Sequence, residues 1–183
     1  MTDKQKAIEA ITNFLNDTDK RTMLVRGYDN EAKLRVTLSC LNQVFNKGII
    51  RTGSMSDMSY HINGAFKKDL LPNSIKSTAI YKLGKMSVNF SSYATHTQNN
   101  PKGNEDTFTL FYPVESVLKN SKRYNKFLDE IKRTQSKKII LVTTNEWGIE
   151  EWDIENHVDE NFFYSVENDN PQIMKNLRSN GAI

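Results

Sequence analysis

Cysteine is nearly absent. The single Cys40 in 183 residues excludes an internal disulfide and any cysteine-rich zinc site, as suits a reducing compartment. Long apolar runs are missing too. The longest, Ile139 to Val142, has four residues, against roughly 18 for a membrane span. The N-terminal Met-Thr-Asp-Lys-Gln-Lys lacks the apolar core of a signal peptide, so a cytoplasmic chain with no membrane partner is expected. Histidine is scarce, and His61, His96 and His157 are too scattered for a metal cluster, so no metal site is expected. What is present, 37% hydrophobic and 26% charged residues, describes one globular domain spanning residues 1–183.

The formal charge of +3 hides a polarity. Between Val117 and Lys138 eight Lys or Arg face two acids, and between Glu146 and Asp169 nine acids occur with no Lys or Arg. Such runs are ordinarily solvated faces. The sharper reading is a pair of interaction surfaces, the basic one suited to phosphates.

Periodicity gives the elements. Ile8, Ile11 and Leu15, with Ala7 and Phe14 beside them, predict a first helix over 3–15. Thr22 to Val25 reads as a buried strand ending at Arg26-Gly27. Leu34, Leu38, Leu41 and Phe45 mark a helix stopped at Lys47-Gly48, and a strand follows over 48–51. Strand, helix and strand in this span predict a parallel βαβ unit. Met58, Ile62, Ala65 and Phe66 predict a helix closed by Leu71-Pro72-Asn73. Residues 79–83 and 86–93 then form a hairpin, placed within an insertion over about 54–105. A polar loop from His96 leads to a strand over 107–112. Tyr124, Phe127, Leu128 and Ile131 form the buried stripe of the basic helix. Residues 137–142 form a central strand, 161–166 a last one, and Pro171 opens a short final helix. The expected fold is α/β, a mainly parallel sheet flanked by helices, with an inserted β-hairpin.

After the first strand the chain reads Gly27-Tyr28-Asp29-Asn30-Glu31-Ala32-Lys33-Leu34. Gly27 and Lys33 stand at the spacing of a phosphate loop: glycine, four residues, glycine, lysine, then serine or threonine. With the order of elements over roughly 1–183, this resembles a divergent P-loop NTPase core of the AAA or RecA-like kind. Ala32 replaces the second glycine, and Leu34 replaces the hydroxyl that would hold magnesium. The strand ending at Phe111 continues as Tyr112-Pro113-Val114-Glu115, with no acid at its tip. Ile139 to Val142 followed by Thr143-Thr144-Asn145 resembles the strand whose polar end senses a γ-phosphate.

The resemblance implies that Gly27, Tyr28, Asn30, Lys33, Thr143 and Thr144 would hold a nucleotide with magnesium, and that Glu115 and Asn145 are the catalytic candidates. The degraded motifs point to a hydrolysis-deficient domain serving as a binding or regulatory module for nucleic acid or a protein. The ends of these strands are expected to converge on one edge of the sheet.

Two alternatives come from the residues alone. Glu31-Ala32-Lys33, with Asp29, matches the carboxylate and lysine of a metal-dependent nuclease, but it opens a helix instead of lying on a core strand. Lys119, Lys122, Arg123, Lys126, Lys132 and Arg133 would let the basic helix track a phosphate backbone. His157 is a lone histidine in a polar loop, Cys40 an inert thiol near an apolar stripe. Trp147 and Trp152 either pack the acidic segment down or anchor a partner.

Overall fold

A computed structural model describes residues 1–95, 101–144, 146 and 151–183, apart from the side chain of Ser116. Asn145, Trp147 and His96 lie outside the described residues. The elements are α1 (Asp3–Asn16), β1 (Thr22–Gly27), α2 (Asn30–Val44), β2 (Lys47–Thr52), α3 (Met58–Phe66), β3 (Ile80–Leu83) and β4 (Met86–Ser92). There follow β5 (Thr107–Phe111), the one-turn α4 (Glu115–Leu118), α5 (Ser121–Arg133), β6 (Lys138–Val142), β7 (Glu160–Tyr164) and α6 (Pro171–Ser179). The fold is α/β, as expected. Seven strands form one sheet in the order β3-β4-β2-β5-β6-β1-β7, parallel except for β3, which pairs antiparallel with β4.

The parallel strands are short apolar runs because both faces are covered. Met23 and Val25 of β1 and Ile140 and Val142 of β6 join one core with α1, α2, α3 and α6. Leu24, Ile139, Leu141 and Phe111 face the other way, against α5 and Ile154. Close packing also removes a side chain between neighbouring strands. A Cβ on Gly48 of β2 would stand 2.0 Å from the Phe108 ring of β5.

Several local expectations are corrected. The buried stripe of α1 is Ala7, Ile11, Phe14 and Leu15, and Ile8 lies 40% exposed at its border. Lys47 and Gly48 do not stop α2. The helix ends at Val44, and these two residues already belong to β2. β1 and β2 are parallel but not neighbours, since β5 and β6 lie between them. α3 ends at Phe66 and not at Leu71-Pro72-Asn73: Lys67 turns left-handed, and the Asn63 side chain binds the backbone of Leu70 and Leu71. The expected hairpin is present as β3 and β4, and β4 also pairs in parallel with β2 along six residues, extending the main sheet. No helix among the described residues is long and apolar enough to cross a membrane.

Charge is used inside the fold. Arg51 on β2, 2% exposed, donates to Glu130 of α5 at 2.5 Å and to the Ser92 carbonyl at 2.8 Å, and its guanidinium lies over the Phe111 ring. Lys138, the last cation of the basic run, is also buried. Its ammonium donates to the carbonyls of Phe14, Asp17 and Lys20, so this part of the run is not a solvated face. The acidic run also bonds back to the fold: the exposed Asp159 carboxylate accepts from the Arg21 and Thr22 amides, each at 2.8 Å.

Removing one member of the Arg51–Glu130 pair leaves a charge without its partner in the core. Glu130→Ala is therefore expected to lose about 3 kcal/mol or more of stability, whereas Arg51→Met with Glu130→Leu recovers most of it. Urea unfolding of the three chains measures both.

Candidate functional site at the strand ends

β5, β6 and β1 are neighbours and parallel, so their C-terminal ends open on one edge of the sheet. From them lead Tyr112-Pro113-Val114-Glu115, Thr143-Thr144 and the short connection from Gly27 to Asn30. Three segments far apart in sequence are thereby brought together, where α/β sheets ordinarily carry their sites.

Only Tyr28 and Asp29 separate β1 from α2. Asp29 caps the helix itself: its Oδ1 accepts from the Ala32 amide at 2.9 Å, and its Oδ2 accepts from the Asn170 side chain at 3.2 Å. Gly27 has a φ of 135°, and a Cβ there would stand 2.4 Å from the Tyr164 carbonyl oxygen of β7. That glycine serves strand packing. The Tyr28 ring meets Phe163 edge-on, with centroids 5.5 Å apart. Asn30 opens α2, and its Oδ1 is a buried atom without a hydrogen-bond partner.

Lys33 is fully buried. Its ammonium donates to the Gly27 carbonyl and, at 3.2 Å, to the Thr143 hydroxyl. Burial pushes its pKa down to about 8, although the carboxylates of Glu146, Glu115 and Asp29 favour the charged form. Glu146 is the hub. One carboxylate oxygen accepts from the Gly27 amide at 2.8 Å and the Thr143 hydroxyl at 3.0 Å, and the other meets the Arg26 guanidinium at 2.7 Å. Arg26 also pairs with Glu155. Glu115, past the cis Tyr112–Pro113 bond, accepts from the Thr144 amide and, at 2.8 Å, from the Thr144 hydroxyl.

Gly27, Lys33, Glu115, Thr143 and Thr144 therefore share one site, with Tyr28 and Asn30 at its rim. Arg26 belongs to it although the sequence pattern did not single it out, and Glu146, which lies in the 143–146 segment expected at this edge, has a role that no motif assigned. Neither stands at a motif position, and their signal was only that an isolated arginine and an acid flank two strand ends. Asn145, the other catalytic candidate, falls outside the described residues.

A nucleotide with magnesium does not fit these groups. The Ala32 amide that would face a phosphate is capped by Asp29, and Leu34 is a fully buried hydrocarbon with no ligand to offer magnesium. Three carboxylates already surround Lys33. The nuclease arrangement does not assemble either. Glu31 and Lys33, two apart on a helix, leave on different faces: Glu31 is exposed near Gly64 of α3, and Lys33 points into the sheet edge. Among the described residues no group of three or more His, Cys, Asp or Glu is placed to hold a metal.

The basic face is separate. Lys119, at the end of α4, and Lys122, Arg123, Lys126, Lys132 and Arg133 on α5 are all exposed. Tyr124, Phe127 and Ile131 turn inward, as the stripe predicts. Arg133 lies 3.8 Å from Glu130, and the other five form no ion pair among the described residues. Asp129 interrupts the face. Beside it Trp152 packs on Tyr124 at 4.7 Å, and the Tyr124 hydroxyl donates to Asp153 at 2.6 Å. His157 contacts the same carboxylate at 3.2 Å. These contacts dock the acidic segment against the basic helix. Cys40 is buried, which pushes its thiol pKa up.

No family model, curated protein or solved structure matches the chain.

A lysine held near 8 when folded and at its ordinary 10.5 when unfolded has a definite linkage sign. Between these values the unfolded chain binds the extra proton, so stability rises with pH through this window. Against Lys33→Met, the wild-type chain is expected to gain about 2 kcal/mol of relative stability from pH 8 to pH 10. Urea unfolding across that range reads the difference, and a flat difference would contradict the burial cost assigned to Lys33.

Proposed function

We propose that the chain is a divergent, hydrolysis-deficient P-loop-NTPase-like domain that works as a nucleic-acid-binding module. The order of elements and the Gly27 and Lys33 spacing support the scaffold. The self-occupied strand-end site supports the loss of hydrolysis. Donors that would meet phosphates are bonded instead to Asp29, Glu146 and Glu115.

The binding role is carried by one observation. α5 turns exposed cations outward along its length, and five of the six cations in the set have no acidic partner among the described residues. A phosphate backbone laid on this face releases its condensed counterions without any buried contact in the fold having to break.

Two measurements test the two halves. Calorimetric titration with magnesium and ATP is expected to give no binding up to millimolar nucleotide, and turnover would overturn the hydrolysis-deficient reading. Fluorescence anisotropy with a single-stranded oligonucleotide is expected to give affinity that falls steeply with salt. The Lys122→Glu and Lys126→Glu double variant should lower the salt slope by about 1.4, roughly 0.7 for each phosphate of a single strand no longer neutralised. Unchanged affinity in that variant would remove α5 as the binding surface.

A further inference from the structure

Directly beyond α5 the chain turns beneath the sheet and lines a cavity of about 850 Å³. Gln135 to Lys138 form one wall, and the end of α1 with the turn after it, Val44 of α2 and residues 104–105 form the rest. The volume lies within the range of small-molecule sites, ample for one nucleotide. One wall of the cavity begins two residues after Arg133, so it adjoins the C-terminal end of α5.

Its charges are unequally free. Lys138 is spent on three backbone carbonyls, and Lys20 is paired with Asp17 and Glu160. Arg21 directs its guanidinium only at the neutral carbonyls of Ser136 and Thr134, so its charge is held in place but not cancelled. Lys137 is exposed and has no ion pair among the described residues. Glu105 is the one opposing carboxylate outside the Lys20 pair. No aromatic ring is among the lining residues, so the cavity offers no platform for stacking a base. It offers cations and the amide of Gln135, a set suited to phosphate and sugar hydroxyls.

We propose that this cavity receives the phosphorylated end of a single nucleic-acid strand whose backbone lies along α5. The inference rests on the nucleic-acid reading of α5. α5 has 13 residues, about 20 Å of track, and a strand following it arrives at the cavity. A terminal phosphate monoester carries about −1.5 to −2, more than an internal phosphodiester, and matches two of the cations that line the cavity, the held Arg21 and the exposed Lys137. Lys137 and Arg21 are then the groups that tell a strand end from strand interior.

Anisotropy with one short oligonucleotide in three forms, bearing a 5′-phosphate, a 3′-phosphate or neither, tests this, with the free nucleoside monophosphate as competitor. At least one phosphorylated form is expected to bind the wild-type chain about tenfold more tightly than the unphosphorylated form. Lys137→Ala should abolish that preference and leave binding of the unphosphorylated strand nearly unchanged. Lys122→Glu with Lys126→Glu should weaken all three forms alike and keep the preference. Equal binding of the three forms by the wild-type chain overturns the end-recognition proposal while leaving α5 binding intact. Loss of all strand binding overturns the α5 reading beneath it. A nucleoside monophosphate that binds the cavity with no strand binding anywhere overturns the strand and assigns the cavity to a small phosphorylated ligand.

Discussion

An ammonium with no solvent at the edge of a parallel sheet must be bonded from within, and this constraint organises the upper half of the molecule. Lys33 reaches the Gly27 carbonyl and the Thr143 hydroxyl, which ties α2 to the ends of β1 and β6. Thr143 in turn donates to Glu146, whose carboxylate also takes the Gly27 amide and Arg26. Glu115 brings in the segment after β5 through Thr144. Each strand end is thus held by a side chain from a neighbouring one. The low dielectric that makes Lys33 costly is also what strengthens these bonds.

The lower half follows a similar rule with the other sign of scarcity. Where the chain enters the sheet, carbonyls and not carboxylates take two of the cations: Lys138 closes the α1–β1 turn, and Arg21 holds the turn after α5. Between the halves, Arg51 and Glu130 lock α5 onto β2. The exposed cations of α5 are therefore presented on a helix whose orientation is fixed from beneath. A rigid array of cations forfeits less side-chain and backbone freedom on meeting a polyanion than a mobile tail would.

Much of the architecture was legible because it rests on local pattern. A short apolar run followed by an amphipathic helix identifies β1 and α2 whatever the neighbours are. The stripe of Tyr124, Phe127 and Ile131 likewise fixed the face that α5 buries. Strand order was not legible, since pairing β1 with β6 and β7 instead of β2 depends on packing over the whole chain. The site was half legible. Gly27, Lys33, Glu115, Thr143 and Thr144 could be named because strand ends are recognisable. Arg26 could not, nor could the role of Glu146 within the expected 143–146 segment, because what marks them is a bond between residues far apart in sequence. The same blindness made Lys138 look solvated: a charged residue reads as exposed until its partners are known, and carbonyl partners leave no trace in composition.

The two candidate surfaces differ in what a ligand must displace. At the strand ends an incoming phosphate competes with carboxylates that are covalently part of the chain, prepositioned and bonded to the very donors it needs. Their effective concentration is far above that of any free ligand, and each one displaced would become an uncompensated charge beside Lys33 or Arg26. On α5 the competitor is water and loosely held counterions. Charge of the same sign is buried and internally satisfied in one place, exposed and unsatisfied in the other. Binding energy is available only where satisfaction is incomplete. That asymmetry, more than the total charge of +3, favours a polyanion on the basic helix over a nucleotide at the sheet edge.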